Sequence, residues 1–202
     1  TDDWASSGDL TARQRATIVK NDTWLVANAK HVVVCSPKLL ELKASARSLH
    51  LIQNGVDHYR YHPDQTAKLP IPEELRALKG PIVGYTGTLH QDRLDSQLIC
   101  ELAQQLPEIT FLFVGPNCLN QENLDRLLEI ENVKLLGKRS YSDLPAYVST
   151  FDICLVPHKV NAFTDSLDPL KLYEYFATGK PIVSTSCAGF RDYPNLVALC
   201  SD

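Results

Sequence analysis

The residues best placed by type and spacing to do chemistry stand in the segment DPLKLYEYFATGKPIVST, residues 168–185. Asp168 is a favourable N-cap, Pro169 suits the first helical position and Gly179 suits the left-handed position after a helix, so a helix is predicted over about 169–178. Lys171 then falls in the first turn, where the positive end of the helix macrodipole disfavours a cation by about 0.3–1 kcal/mol. A phosphate at the helix N-terminus would offset that cost, because free backbone N–H groups and an ammonium would converge on it. Glu174 lies three residues on, one turn deeper on the same face, where a carboxylate can accept hydrogen bonds from a vicinal diol such as a ribose. An i, i+3 surface pair between Lys171 and Glu174 would need no ligand and remains an open alternative.

The second group is the turn GYTGTLHQDRLD, residues 84–95. Gly87 follows an apolar run, and a residue without a side chain there lets backbone amides approach a diphosphate; simple turn chemistry is the competing reading. Arg93 is expected to open the next helix against its dipole, as Lys171 does, or else to be a solvated charge. Asn161, Thr164 and Asp165 lie in the polar loop HKVNAFTDSLD, which either borders the same crevice or only connects two elements. Lys138 and Arg139 follow the run VKLLG and could flank a base or form a solvated pair. The six histidines show no HxxxH or HExxH spacing, so no metal is expected, and only His158 and His90 fall near the crevice. No GxSxG is present for a serine hydrolase.

These side chains need a frame. From residue 81 short apolar runs alternate with amphipathic stretches: PIVGYT (81–86), TFLFVG (110–115), VKLLG (133–137), DICLVP (152–157), PIVST (181–185) and LVALC (196–200). Such runs are strands buried on both faces between covering helices. One helix is expected to present Leu94, Leu98, Leu102 and Leu106 on one face and to end at Pro107; others centre on Leu124, Leu127 and Leu128, then on Leu144, Tyr147 and Val148. The fold class is α/β, a doubly wound parallel sheet that binds ligands beyond the carboxyl ends of its strands where strand order reverses. Residues 1–62 read differently: a polar helix from about Leu10 to Ala29, a strand at 31–35, a helix at 37–46 and a strand at 49–52, too few elements to close a core. Pro63, Pro70 and Pro72 give 63–80 the composition of an interdomain linker.

Of the 202 residues, 44% are hydrophobic and 22% charged, which excludes a disordered or collagenous chain. A net charge of −4 supplies no global field toward nucleic acid or an anionic membrane, so no nucleic-acid partner is expected and anion binding must be local. No apolar stretch approaches the roughly 18–20 residues of a membrane span, and the reading is a soluble, intracellular protein. Cys35, Cys100, Cys118, Cys154, Cys187 and Cys200 are scattered singly and are expected to be buried free thiols; a disulfide reading would need an oxidising compartment. With no methionine anywhere, the chain is expected to be a fragment or a processed product.

At this point a family resemblance emerges. ANAKHVVVCSPKLLELKASARSLHLIQNGVDHYRYHP resembles the strand–helix–strand and "PNGVD…F.P" junction that closes the first domain of group 1 glycosyltransferases, with Gln53 in the place of proline. LFVGP (112–116), LLGKRSYSDLPAYVSTFDICLVPHKVNAFT (135–164) and DPLKLYEYFATGKPIVST are similar to the donor domain of that family, nearest a polysaccharide-assembly subgroup with a "PLKLYEYLAAGKPVV" helix. The resemblance implies a GT-B arrangement: an incomplete acceptor-side domain in 1–62, a hinge in 63–80, and a Rossmann-like donor domain in 81–202 without its final helix. It implies that Gly87 and Thr88 form the loop over the donor diphosphate. Arg93 and Lys171 become the catalytic cations and Glu174 the ribose ligand. The implied reaction moves a sugar, with retention, from a nucleoside diphosphate sugar to a saccharide or lipid-linked saccharide hydroxyl. It needs no metal or other cofactor and takes place in the cytoplasm, with the parent protein peripheral to the membrane.

Two departures matter. The family's two glutamates are separated by seven residues, and Ser166 stands where the first belongs, leaving Asn161, Thr164 or Asp165 to substitute. Thr88 stands where an arginine usually follows the turn glycine. As given, the chain is expected to hold a nucleotide-sugar without transferring the sugar. The alternatives are a non-catalytic nucleotide-sugar-binding module and a nucleotide-sugar epimerase of the same architecture. An oxidoreductase is disfavoured, since GxGxxG is absent and no acidic residue ends the second strand.

Overall fold

The computed structural model describes residues 3–200 apart from Ser7 and Asp9. Helix α1 (Ala12–Asn28) starts at Thr11, whose hydroxyl accepts from the Gln14 amide while Gln14 Oε1 accepts from the Thr11 amide at 2.9 Å. Strands β1 (Val32–Val34) and β2 (Leu49–Leu51) pair in parallel across α2 (Pro37–Leu42). Helix α2 stops short of the expected residue 46, because beyond Leu42 the sequence KASARS offers no large apolar side chain to bury.

Helices α3 (His58–Tyr61) and α4 (Pro63–Thr66) and a 3₁₀ turn at Glu73–Leu75 follow. The proline-rich stretch 63–80 is not an extended strap: Thr66 and Leu75 are buried, and Leu75 shares a core with Tyr61, Leu112, Val148 and Phe151.

Each of the six apolar runs forms a strand of one parallel sheet. Its strands are β3 (Ile82–Thr86), β5 (Thr110–Val114), β7 (Val133–Gly137), β8 (Ile153–Val156), β9 (Ile182–Thr185) and β10 (Ala198–Cys200). A short pair, β4 (Leu89–His90) and β6 (Asn117–Cys118), sits apart. Helices α5 (Ser96–Gln105), α6 (Gln121–Leu128), α7 (Leu144–Ser149) and α8 (Leu170–Thr178) complete the unit. The order is β10-β9-β8-β3-β5-β7, so direction of winding reverses between β3 and β8. Alternation within the buried strands feeds two cores: Tyr85, Phe111 and Phe113 join Ile99 and Leu127 on one face, and Leu112, Val114 and Val156 join Leu172, Tyr175 and Phe190 on the other.

Two expectations are corrected. Helix α5 begins at Ser96, capped by Asp95, whose carboxylate accepts from the Leu98 amide at 3.1 Å, so Leu94 and Arg93 precede it. Its buried stripe is Ile99, Cys100 and Ala103, with Leu98, Leu102 and Leu106 half-buried on the flank. All six cysteines are free thiols, but only Cys100, Cys154 and Cys187 are buried; Cys118 and Cys200 are exposed on the short strand β6 and the edge strand β10. Among the described residues no helix is long and apolar enough to cross a membrane.

Candidate functional site

A crevice of about 390 Å³ opens at the reversal between β3 and β8. The turn after β3 lines it with Thr86, Gly87 and Thr88, α8 with Lys171 and Glu174, and the loops with Arg93 and His158. Asn54, Tyr141 and Asp168 stand on its walls. Five of the nine predicted site residues, Gly87, Thr88, Arg93, Lys171 and Glu174, therefore meet in one place.

Lys171 is held from β3. Its ammonium donates to the Tyr85 hydroxyl at 3.0 Å and lies 4.5 Å from the centroid of the same ring. Gly87 has φ 135°, and a Cβ there would lie 3.1 Å from Lys171 Nζ and 3.2 Å from the Tyr85 hydroxyl. The Gly87 amide is already spent on the Val114 carbonyl at 2.9 Å, so this position contributes open space rather than its own donor.

Arg93 lies in the turn before α5, not on the helix, and its Nε is buried with no hydrogen-bond partner. His158, which lines the same crevice as the two cations, is 2% exposed, with Nε2 3.1 Å from the Tyr85 hydroxyl. Burial, then Lys171 and Arg93, push its pKa well below the ordinary histidine value, so the ring is neutral.

Glu174 is buried and accepts from the Tyr61 hydroxyl through Oε1 at 2.9 Å. Burial raises its pKa, opposed by the Tyr61 hydrogen bond and by Lys171 and Arg60. Among the described residues Lys171 and Glu174 form no ion pair: one turns to Tyr85, the other to Tyr61. This removes the surface-pair alternative.

Asp168 does not cap α8. Its Oδ2 accepts from the Asn54 amide at 2.5 Å and its Oδ1 from the Tyr173 hydroxyl at 2.7 Å. The helix starts at Leu170 behind Pro169 with no side-chain cap, and Pro169, Leu170 and Lys171 line the crevice. Gly179 takes the expected left-handed conformation, φ 67°.

The remaining predicted residues lie off the crevice wall. Arg139 donates to the Tyr147 hydroxyl at 2.8 Å and pairs with Glu74 at 3.0 Å, fastening the 3₁₀ turn to α7. Tyr141, two residues on, lines the crevice instead, with the Arg60 guanidinium 4.6 Å over its ring. Asn161 donates to the Asp92 carbonyl, Thr164 is fully buried with its hydroxyl on the Lys159 carbonyl, and Asp165 pairs with Arg191. These three shape the loop. Ser166 is buried as well, its hydroxyl on the Phe163 carbonyl at 2.9 Å. Tyr61, Tyr85 and Tyr141 escaped sequence reasoning because phenols inside apolar or loop segments carry no spacing signal. Among the described residues no three His, Cys, Asp or Glu side chains group as metal ligands.

Two cations that have no carboxylate partner among the described residues, the start of α8 without a side-chain cap and a carboxylate one turn deeper suit a diphosphate linked to a diol. A parallel sheet with such a pocket at its switch point has the Rossmann-type architecture. Residues 80–197 match the family described as Glycosyl transferases group 1, and the chain belongs to that family. It is 30% identical over 185 residues to a Bacillus subtilis (strain 168) protein assigned as a teichuronic acid biosynthesis glycosyltransferase, TuaH. That match covers 88% of this chain and 46% of TuaH, so the chain spans about half the length of the curated relative. Among solved structures it is similar to Anabaena HepE, determined in complex with UDP-glucose (TM-score 0.67, 22% identity, 90% of this chain and 51% of that one). It is also similar to sucrose-phosphate synthase from Thermosynechococcus elongatus (TM-score 0.66, 21% identity, 92% and 48%). The fold is thus that of the GT-B glycosyltransferases.

Proposed function

We propose that this chain is the donor-binding part of a glycosyltransferase that moves a sugar from a nucleoside diphosphate sugar to a saccharide or lipid-linked saccharide hydroxyl. The observation that carries the reading is the convergence of Lys171, Arg93 and Glu174 on the crevice at the strand-order reversal. Lys171, Arg93 and the N-terminus of α8 would bind the diphosphate and stabilise the charge that develops on it as the glycosidic bond breaks. Glu174 would take the ribose diol. The buried neutral His158 keeps a third positive charge out of the site. Family membership supports retention at the anomeric carbon, electrostatic assistance without a metal and action on the cytoplasmic side of the membrane. The UDP-glucose complex of HepE and the teichuronic acid biosynthesis assignment of TuaH favour a uridine nucleotide and an acceptor in polysaccharide or glycoconjugate synthesis.

Calorimetric titration with UDP, GDP and ADP tests this. One nucleotide should bind, and Lys171→Ala and Glu174→Ala should each weaken it by about 1–3 kcal/mol. A folded chain that binds none of the three would overturn the reading.

A further inference from the structure

The carboxylate in the crevice is gripped from outside the sheet. Tyr61 closes α3, which packs against α8, and its side chain is 1% exposed. The ring is fixed in the same core as Leu75, Leu112, Phe151 and Leu172, so the hydroxyl has little freedom of position. It donates to Glu174 Oε1 at 2.9 Å.

We infer that Tyr61 is a positioning residue for the nucleotide: its hydroxyl holds Glu174 Oε1 so that Oε2 is presented to the ribose diol. The inference rests on the nucleotide reading above and deepens it. A glutamate side chain has three torsions, and a buried carboxylate that loses its donor either rotates or takes up a proton. Rotation misplaces the acceptor a diol needs, and protonation weakens it. The charged groups acting on Glu174 are Lys171 on its own helix and Arg60 on α3, and both favour the carboxylate, as the Tyr61 hydrogen bond does. Burial alone opposes it.

Tyr61→Phe keeps the ring and removes only the hydroxyl. UDP and 2′,3′-dideoxy-UDP are titrated into the wild-type chain and the variant, and the Glu174 carboxyl is titrated by carbon NMR in both. UDP affinity should fall about 5- to 10-fold in the variant. Dideoxy-UDP, which offers no diol, should bind both chains equally. The Glu174 pKa should move further up in the variant. Equal losses for both nucleotides would mean that Tyr61 only supports the fold, and an unmoved Glu174 titration would mean that it does not hold the carboxylate; either overturns the inference. Failure of the wild type to bind any of UDP, GDP and ADP would overturn the nucleotide reading and the diol role with it, while the Glu174 titration would still decide whether Tyr61 governs that carboxyl.

Discussion

The Tyr85 hydroxyl accepts from the Lys171 ammonium at 3.0 Å, and the ring of the same tyrosine lies 4.5 Å from that nitrogen. A long, flexible cation on α8 is thereby held by a buried strand residue whose register is fixed, Tyr85 lying opposite Phe113 of β5. Lysine side chains carry about 2 kcal/mol of rotamer entropy, so a lysine already ordered loses less when a phosphate arrives. Gly87 keeps the space beside this pair open.

Removing only the hydroxyl, in Tyr85→Phe, should therefore leave the ring contact and weaken nucleoside diphosphate binding by about 0.5–1.5 kcal/mol. Lys171→Ala should cost more, about 1–3 kcal/mol. Calorimetry on the two variants ranks them. Unchanged affinity in Tyr85→Phe would mean that Lys171 finds the phosphate without this guidance.

Arg139 separates support of the fold from contact with ligand. Its guanidinium lies on Tyr147 and Glu74, away from the crevice. Arg139→Ala should lower the melting temperature and leave nucleotide affinity within about twofold. The same cluster sets an acid dependence. Hydrogen bonding from Tyr147, the local backbone and then Arg139 hold the Glu74 carboxyl down at about 2, below its ordinary 4.5. A depressed folded value stabilises the fold above pH 4.5, and the benefit disappears as pH falls through about 2. Glu74→Gln should flatten stability across that window; a wild-type slope retained in Glu74→Gln would place the acid sensitivity elsewhere.

The sheet was legible because strands covered on both faces are nearly continuous in apolar residues: all five residues of TFLFV in β5 are buried, while the edge strand β10 leaves Ala198 and Cys200 exposed. The place of Lys171 in the first turn of α8 was legible because Pro169 and Gly179 delimit that helix. Arg93 was misplaced by one element: leucines at 94, 98, 102 and 106 keep helical spacing, yet Asp95 caps the helix only from Ser96. Asp168 has the propensity of an N-cap but is taken by Asn54, and no local rule weighs a partner 114 positions away. The grip of Tyr61 on Glu174 spans 113 positions and is hidden in the same way. Asn161, Thr164 and Asp165 looked like crevice residues because polar loops beside strand ends often are; here their polar atoms are spent on one another, on nearby carbonyls and on Arg191.

Glu174 supplies a trade between stability and binding whose sign can be worked out. Burial raises its pKa above the ordinary 4.5, so the folded chain takes up this proton more readily than the unfolded one. Stability from this group is fully present below pH 4.5 and is lost as pH rises through the folded value, where an ionised carboxylate must stay buried. Glutamine has nearly the same shape, accepts from Tyr61 through its amide oxygen and carries no charge. Glu174→Gln should therefore melt above the wild type at about neutral pH, and the gap should close on acidification to about pH 4. The same variant should bind the nucleotide more weakly, since a neutral amide is a poorer acceptor for a diol than a carboxylate. Scanning calorimetry at the two pH values, with and without UDP, reads both effects. A variant that melts below the wild type at neutral pH would show that the buried charge is more than compensated by Lys171 and Arg60.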